Sequence, residues 1–378
     1  MEFSWTDEQL ALRQAVIKFA QKELNSDIAE RDRSEEFSWD GWRKCAQLGI
    51  QGLPIPAQYG GRGADILTTA CALEALGYGC RDHGLMFSIN AHMWSSEIPF
   101  LMFGNEEQKS RYLGKLVSGE FVGIHAMTEP NSGSDAFSLR SRAERKGDRY
   151  VINGTKTFIT NAPIADVVIV FANIDPAKGS GGITAFIVDK GTPGFTVSKK
   201  LHKMGLRTSP MAELAFVDCE VPAENVLGKL GAGTAIFTAS MEWERICILA
   251  SHLGAMQRLL ESCVRHVSER KKAGPNHHAA SFSTKVAEME IRLETARLIL
   301  YKAAWLKSLG KHPLREAAIC KAYVADACVQ ICLDAIQIFG RHITDCQIER
   351  ELRDILPGKI YSGTTEIQKM IIAGLHGL

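Results

Sequence analysis

A glutamate lies on the apolar face of a helix that the sequence predicts around residues 237–257. At a spacing of three or four residues, Phe237, Met241, Glu244 and Ile248 fall on one side of this helix. A carboxylate on such a face costs several kcal/mol unless it is paired or protonated. Burial also raises its pKa toward the range in which it serves as a general base. The alternative is a salt bridge to an arginine of another helix, and this segment alone leaves both interpretations open.

A second polar stretch, IYSGTTEIQKMIIAG at residues 360–374, lies near the carboxyl end. Its apolar spacing predicts an amphipathic helix, with Thr365 and Gln368 placed as a capping box. Ser362 occupies the most constrained point, next to a glycine. Glu366 falls on the first turn, where an acid complements the helix dipole. The stretch is therefore either a helix start or a working site.

Two hydroxyl-rich segments occur in the middle of the chain. MTEPNSGSD, at residues 127–135, follows a predicted strand and offers hydroxyls and free backbone N–H groups. Such a loop suits a polyanionic or heteroaromatic ligand, although taken alone it is equally a turn. FITNA, at residues 158–162, ends another strand with an aromatic ring and a hydroxyl. These groups could stack on a flat ring and hydrogen-bond to it, although alone they form only a strand end.

The elements that position these groups fall into three regions, which predict an α+β multidomain protein. Helical patterns dominate residues 1–118, and β-branched runs separated by turns fill residues 119–228. Residues 229–378 return to long helical segments, as in an up-and-down bundle. The middle region is predicted to be an antiparallel β domain, in which Asn153-Gly154 has the signature of a hairpin turn.

Composition excludes several classes of function. The chain has 378 residues with 44 basic and 43 acidic side chains, so neither nucleic acid nor an anionic membrane is an expected partner. No apolar run reaches the length of a membrane span, and the first 24 residues do not read as a leader. The ten cysteines are scattered in apolar runs, which favours buried thiols in a reducing compartment. We therefore expect a cytoplasmic protein without a bound metal.

Five motifs in order resemble the acyl-CoA dehydrogenase family of flavoproteins. They are TEPNSGSD, FITN, KMGLRTSPMAELAFVDCEVPAENVLG at residues 203–228, DAIQIFG at residues 334–340, and the closing YSGTTEIQ. The likeness covers essentially the whole chain. It implies a helical N-terminal domain, a middle antiparallel β domain and a C-terminal four-helix bundle.

The resemblance also implies bound FAD between the β domain and the bundle, partly held by a neighbouring subunit. A homo-oligomer, in this family a tetramer, is therefore expected. By position, the residues that would contact the cofactor are the loop hydroxyls of Thr128 and Ser134, the ring-flanking Phe158 and Thr160, the pyrophosphate-binding Arg270, and Gln337 and Thr364 at the adenosine half. The family pattern is altered after the arginine, where Ala273-Gly274 and residues 275–278 are unusual.

The catalytic base implied by the resemblance is displaced in this chain. Most members carry a glutamate in a Tyr-Glu-Gly-Thr sequence, whereas here Ser362 stands in its place. A hydroxyl is too weak a base without an activating partner. Some branches place the glutamate on the earlier helix, immediately before an arginine, and Glu244 followed by Arg245 matches that position. We therefore expect Glu244 to remove the α proton of a thioester, with Arg245 and Ser134 along the pantetheine arm.

Within the family, the chain is most similar to oxidases or dehydrogenases of a prolyl group tethered to a carrier protein in natural-product biosynthesis. A basic stretch, Lys199, Lys200 and Lys203, could meet an acidic carrier, or could be a solvated loop. Two alternatives stay open. One is a short branched-chain acyl-CoA dehydrogenase, and the other is a catalytically silent flavoprotein used for binding or assembly.

Overall fold

The N-terminal region is helical in the computed structural model, which describes residues 4–272, 279–344 and 348–378. The first helix begins at a capping box in which Thr6 and Gln9 exchange side-chain and backbone hydrogen bonds. A single π-helical turn, Met93–Glu97, joins the fifth helix to the sixth. The helices are α1 Asp7–Glu23, α2 Ile28–Ser34, α3 Trp39–Leu48, α4 Ile66–Gly79, α5 His83–His92, α6 Ile98–Phe103 and α7 Glu106–Val117.

An eight-stranded sheet follows, in the order β6-β7-β3-β2-β4-β5-β8, with β1 paired to β4. Its strands are β1 Gly123–Ala126, β2 Arg142–Lys146, β3 Arg149–Thr160, β4 Val167–Asn173, β5 Ile183–Asp189, β6 Phe195–Lys200, β7 Met211–Pro222 and β8 Val226–Leu227. Most neighbours are antiparallel, as predicted. The exceptions are β1 with β4 and a one-residue pairing of β2 with β4, which are parallel. The intervening β2–β3 hairpin returns the chain so that β4 runs in the direction of β1.

The predicted hairpin at Asn153-Gly154 was wrong. These residues lie inside β3, where the register against β7 shifts and forms a bulge. The glycine is required because a Cβ at Gly154 would lie 2.1 Å from Oγ of Ser141. The hairpin turn is instead at Gly147-Asp148, between β2 and β3.

The C-terminal region is helical again, so the predicted helical, β, helical order is confirmed. Its helices are α8 Gly233–Cys247, α9 Ala250–Lys272, α10 Ala279–Ser308, α11 Leu314–Phe339, α12 Ile348–Ile355 and α13 Thr365–Gly374. Helices α8 to α11 form the bundle, and α4 packs against α9 so closely that a Cβ at Gly254 would lie 1.9 Å from the carbonyl oxygen of Glu74. The two helical regions therefore share one apolar core.

One helical segment, Leu314–Ile343, is long and apolar enough by length and composition to cross a membrane. More than half of its most apolar window is buried inside the protein. Because the core helix of a bundle has the same composition, this segment is weak evidence for a membrane span.

Candidate active site

Glu244 is buried on α8 with 8% of its surface exposed. The helix is fixed beneath it because Ser240 donates a hydrogen bond to the backbone oxygen of Trp94 at 2.6 Å. Burial raises the pKa of Glu244, as the apolar face predicted, and a hydrogen bond from Ser362 offsets part of this rise. Within residues 4–272, 279–344 and 348–378, no arginine of another helix forms an ion pair with this carboxylate.

The hydroxyl of Ser362 donates a hydrogen bond to Oε1 of Glu244. Ser362 and Gly363 both have left-handed backbone conformations, with φ of 57° and 86°. Such a conformation costs a non-glycine residue about 1–3 kcal/mol and persists only where the surroundings enforce it. Here Nε of Arg245 donates to the backbone oxygen of Ser362 at 3.3 Å, and the amide of Gln368 donates to the oxygens of residues 362 and 363.

The capping box predicted for the last helix was wrong by one residue. Thr364 is the N-cap of α13, and its Oγ1 accepts a hydrogen bond from the backbone N–H of Ile367 at 3.3 Å. With Thr364 as the N-cap, the third helical position is Ile367, which has no polar side chain to complete a box, and Gln368 instead donates its amide to the carbonyls of the preceding turn. Glu366 lies on the first helical turn, as predicted, and is exposed.

A buried lysine faces the same site from α11. Lys321 is fully buried, and its Nζ lies 5.8 Å from the ring centroid of Tyr361. In the part of the chain that the structure describes, this ammonium group has no hydrogen-bond partner. Burial and, to a smaller extent, the charge of Arg245 lower the pKa of Lys321 to about 7. The positive charges of Arg245 and Lys321 both lower the pKa of Glu244.

Sequence reasoning missed Lys321, although a signal was present. Ala317, Lys321, Val324 and Cys328 recur at helical spacing, and the other three are buried. This is the pattern of an ionisable residue on an apolar face that singled out Glu244. By contrast, Glu242 on the exposed side of α8 is paired with Lys307 at 3.0 Å and lies 3.4 Å from His312.

A second group of predicted residues meets at the end of β3. Thr157 donates its backbone N–H to the oxygen of Thr128 at 2.9 Å, which brings the hydroxyl-rich loop beside Phe158 and Thr160. Ser134 is exposed in this loop. Ser132, in contrast, turns its hydroxyl inward to the backbone oxygen of Asp135 at 2.6 Å.

A buried ion pair holds this loop in place. Glu129 accepts hydrogen bonds from Nζ of Lys156 at 2.8 Å and from the backbone N–H groups of Arg140 and Ser141. Nζ of Lys156 also donates to the backbone oxygen of Met127 at 3.0 Å. Burial lowers the pKa of Lys156 to about 8, while the charge of Glu129 opposes this change. These contacts tie residues 127–129 directly, and residues 140–141 through Glu129, to Lys156 on β3.

Phe158 fits the flavin that the family resemblance implies. Its ring is 63% exposed, and its φ of 56° is a strained conformation for an aromatic residue. An aromatic ring held at the surface at such a cost is suited to stacking on a flat ligand. Thr160 follows it on β3, and the backbone bond between Thr157 and Thr128 joins the hydroxyl-rich loop to this strand, so the residues present fit FAD at this position.

The remaining cofactor candidates, Arg270 and Gln337, lie near the ends of α9 and α11. Arg270 lies 5.9 Å from the ring of Phe282, and Gln337 is exposed. In residues 4–272, 279–344 and 348–378, no hydrogen bond or ring contact joins either side chain to the β domain. In a cofactor site shared between subunits, Arg270 and Gln337 would contact FAD that is bound to the β domain of a neighbouring subunit. The unusual Ala273-Gly274 and residues 275–278 lie outside the described residues.

An open groove of about 530 Å³ borders α8, and sequence reasoning did not find it. One wall is the exposed side of α8, and the other is the turn Pro176–Gly182, to which Thr234 donates a hydrogen bond at 2.9 Å. Small and hydroxyl side chains dominate. The lining residues are Ser180, Gly181, Gly231, Thr234, Ala235, Thr238, Ala239, Glu242 and His312.

The basic stretch at the end of β6 is largely engaged within the chain. Lys203 donates to the backbone oxygen of Ser209 at 2.5 Å, and burial lowers its pKa to about 8. Lys200 forms an ion pair with Glu35 at 3.4 Å. Lys199 is exposed.

Comparison with known protein families gives three consecutive matches. The matched descriptions are "Acyl-CoA dehydrogenase, N-terminal domain" over residues 6–120, "Acyl-CoA dehydrogenase, middle domain" over residues 125–219 and "Acyl-CoA dehydrogenase, C-terminal domain" over residues 231–374. Together they span nearly the whole chain.

Individual relatives match over their full lengths. An acyl-CoA dehydrogenase of Bacillus subtilis is 42% identical over 371 residues, which cover 97% of each chain. Among solved structures, the prolyl acyl carrier protein oxidase AnaB is 47% identical with a TM-score of 0.96, over 99% of this chain and 100% of AnaB. PigA, solved with FAD and proline, is 37% identical with a TM-score of 0.96 over 100% of both chains.

Proposed function

Because the chain belongs to the acyl-CoA dehydrogenase family, we propose that it oxidises an L-prolyl group carried as a thioester on an acyl or peptidyl carrier protein. As a member of that family, it is an FAD-dependent dehydrogenase that acts on a CH–CH bond. The likeness to AnaB and to the proline-bound PigA supports the prolyl substrate. The observation that carries the proposal is the buried carboxylate of Glu244, which accepts a hydrogen bond from Ser362. Ser362 occupies the position at which most members of the family have their base.

We assign Glu244 as the general base. Its pKa is raised by burial, which makes the ionised carboxylate a stronger proton acceptor. Ser362 hydrogen-bonds to Oε1, so the carboxylate is oriented and Oε2 is left to receive the proton. Arg245 and Lys321 favour the ionised form by lowering the pKa of Glu244 from the value that burial alone would give.

The reaction gives the substrate a double bond between Cα and Cβ. When bound, FAD supplies the acceptor for the β hydrogen and its electron pair. Phe158, Thr128, Ser134 and Thr160 would hold the flavin, while Arg270, Gln337 and Thr364 would bind the rest of the cofactor across a subunit interface. The enzyme is therefore proposed to act as a homo-oligomer, most simply a tetramer.

The groove beside α8 is the proposed path of the pantetheine arm. Thr234 and Thr238 line it from the same helix that carries Glu244 and Arg245. The lining of the groove ends at Glu242, on the exposed side of α8, so an arm in the groove would pass around the helix beyond Glu242 to reach Glu244 on the buried side. Small walls suit a slender chain, and hydroxyls suit its two amides. Arg245 and Ser134 stay candidates for contacts with this arm.

We place the enzyme in the cytoplasm, where a carrier-dependent pathway would operate. Nine cysteines among the described residues are free and buried, as a reducing compartment allows. A short branched-chain acyl-CoA dehydrogenase is the second candidate, and the likeness to the Bacillus subtilis acyl-CoA dehydrogenase supports a CoA thioester as the substrate class.

Anaerobic flavin reduction tests the proposal directly. The purified FAD-loaded enzyme is mixed with prolyl-carrier protein or with isovaleryl-CoA, and the loss of flavin absorbance is followed. We expect rapid bleaching with the prolyl carrier and slow or no bleaching with the CoA ester. Reduction by isovaleryl-CoA alone would reject the prolyl substrate. No reduction by any acyl thioester would favour a catalytically silent flavoprotein.

A further inference from the structure

Three loops meet at the mouth of the α8 groove. They are the turn Pro176–Gly182, residues 228–232 before α8, and residues 309–313 between α10 and α11. The first two pack closely, because an added Cβ at Gly231 would lie 2.6 Å from the oxygen of Gly181, and the backbone N–H of Gly231 also donates to Oγ1 of Thr184 on the adjoining strand β5 at 2.9 Å. The third reaches the groove through His312, which lies 3.4 Å from Glu242. The mouth is thus one continuous surface built from both domains.

Exposed cations surround this mouth. We call the set Lys178, Lys229, Leu230, Lys311 and His312 the groove rim. The side chains of Lys178 and His312 are 70% and 85% exposed, and Lys229 and Lys311 are also exposed. Leu230 adds an apolar side chain that is 50% exposed. His312 itself lines the groove, Leu230 and Lys311 are each next to a lining residue in sequence, Lys229 is two residues before Gly231, and Lys178 packs against Gly181.

The positive charge that carboxylates near the mouth do not balance is that of Lys229 and Lys311. Lys178 is paired with Asp175, and Glu242 is paired with Lys307 and lies 3.4 Å from His312. Across residues 4–272, 279–344 and 348–378, Lys229 and Lys311 form no ion pair with a carboxylate. The whole chain has a formal net charge of only +1, so this positive surface is a local feature. A surface of this kind attracts an anionic partner and raises its rate of association.

We infer that the groove rim is the docking surface for an acidic carrier protein. The inference rests on the proposed function, because the arm in the groove must emerge where its carrier is attached. The arm is joined to its carrier by a phosphodiester, so a negative charge would lie at the mouth of the groove. Lys229 and Lys311 face an acidic carrier helix across this mouth, and Leu230 provides its apolar contact. Charge here determines which carrier is accepted, while Glu244 and the groove determine the chemistry.

The test compares two charge reversals with the same net charge. One is the double variant Lys229→Glu/Lys311→Glu. The control is Lys18→Glu/Lys146→Glu, which reverses exposed lysines on α1 and at the end of β2. Binding is measured with a carrier protein whose prolyl thioester is replaced by a stable amide. Flavin reduction is measured in parallel with prolyl-carrier protein and with prolyl-pantetheine, which has no carrier.

We expect the rim variant to bind the carrier at least about tenfold more weakly, mainly through slower association that no longer depends on salt. Its flavin should still be reduced by prolyl-pantetheine at the wild-type rate, and the control should behave as wild type in all assays. Equal losses in both variants, no loss in the rim variant, or a loss with prolyl-pantetheine would each overturn the docking surface. If wild-type flavin is reduced by neither prolyl substrate, the proposed function fails, and the binding measurement still decides the rim.

Discussion

Ser362 donates its hydroxyl to Glu244 across 118 residues of sequence. The contact joins the residue that replaces the usual base of the family to the carboxylate that we propose as the base of this chain. Ser362 therefore acts on Glu244 through a hydrogen bond and not only by packing beside it. Its hydrogen bond favours the charged form of Glu244, which burial opposes, and fixes one of the two carboxylate oxygens. Five substitutions test this site and the FAD-binding residues around Phe158.

Replacing Glu244 by glutamine should abolish proton removal without unfolding the enzyme. The amide keeps the size of the side chain and can still accept a hydrogen bond from Ser362, but it is not a base. We expect flavin reduction by prolyl-carrier protein to fall by about 10²–10⁴-fold, while FAD content stays at the wild-type level. Stopped-flow absorbance measures both. The matched control is Glu366→Gln, which should stay near wild type, and a fast Glu244→Gln enzyme would remove Glu244 from the mechanism.

Ser362→Ala should shift the pH dependence of the same reaction. The base must be ionised, so the rate rises with pH through the pKa of Glu244. Loss of the hydrogen bond raises this pKa, and the rise should move to higher pH. Since hydrogen bonds to charged groups are worth roughly 1.5–3 kcal/mol, the rate at low pH should fall about tenfold or more. At high pH the rates should converge. Equal profiles for both enzymes would show that the contact has no catalytic effect.

Lys321→Met should stabilise the protein most at neutral and lower pH. Burial lowers the pKa of Lys321 to about 7, well below that of an exposed lysine in the unfolded chain. Between these two values the unfolded state binds the proton and the folded state does not, so the wild type gains stability as pH rises. The methionine variant lacks this dependence. Thermal unfolding of both proteins at several pH values from 6.5 to about 10 measures the difference in stability between the variant and the wild type. This difference should decrease as pH rises.

Phe158→Ala should weaken FAD binding. Removal of the exposed ring eliminates stacking worth about 0.5–1.5 kcal/mol beyond its buried area, so the dissociation constant should rise about tenfold. Quenching of flavin fluorescence during titration of the apoenzyme measures this constant. Val217→Ala removes a comparably exposed apolar side chain from β7 and should leave the constant unchanged. If both variants weaken FAD equally, Phe158 has no specific contact with the cofactor.

Lys156→Met should destabilise the loop that carries Thr128 and Ser134. The substitution leaves the carboxylate of Glu129 buried without its cation, which costs about 3–5 kcal/mol. We expect a lower unfolding temperature and weaker FAD binding. The double variant Lys156→Met/Glu129→Gln removes the uncompensated charge and should recover much of the loss in stability. A double variant as unstable as the single one would show that the buried charge is not the cause.

Helix caps and apolar helix faces could be predicted from the sequence alone, because they depend on residues only a few positions apart. The capping box of Thr6 and Gln9 and the apolar face around Glu244 need only helical spacing to be recognised. The helical, β, helical order follows from composition over longer stretches. Five ordered motifs were sufficient to indicate the family. The same local pattern would have identified Lys321, had each apolar helix been searched for ionisable residues.

Contacts between residues far apart in the sequence became known only from the folded structure. No spacing rule connects Ser362 to Glu244 or places Lys321 beside them, because helix packing determines these contacts. The same is true of Asn153-Gly154, where the approach of Ser141 converts a hairpin signal into a bulge. The groove rim likewise unites loops from two domains. Local patterns specify elements, whereas burial and close packing between elements build the site.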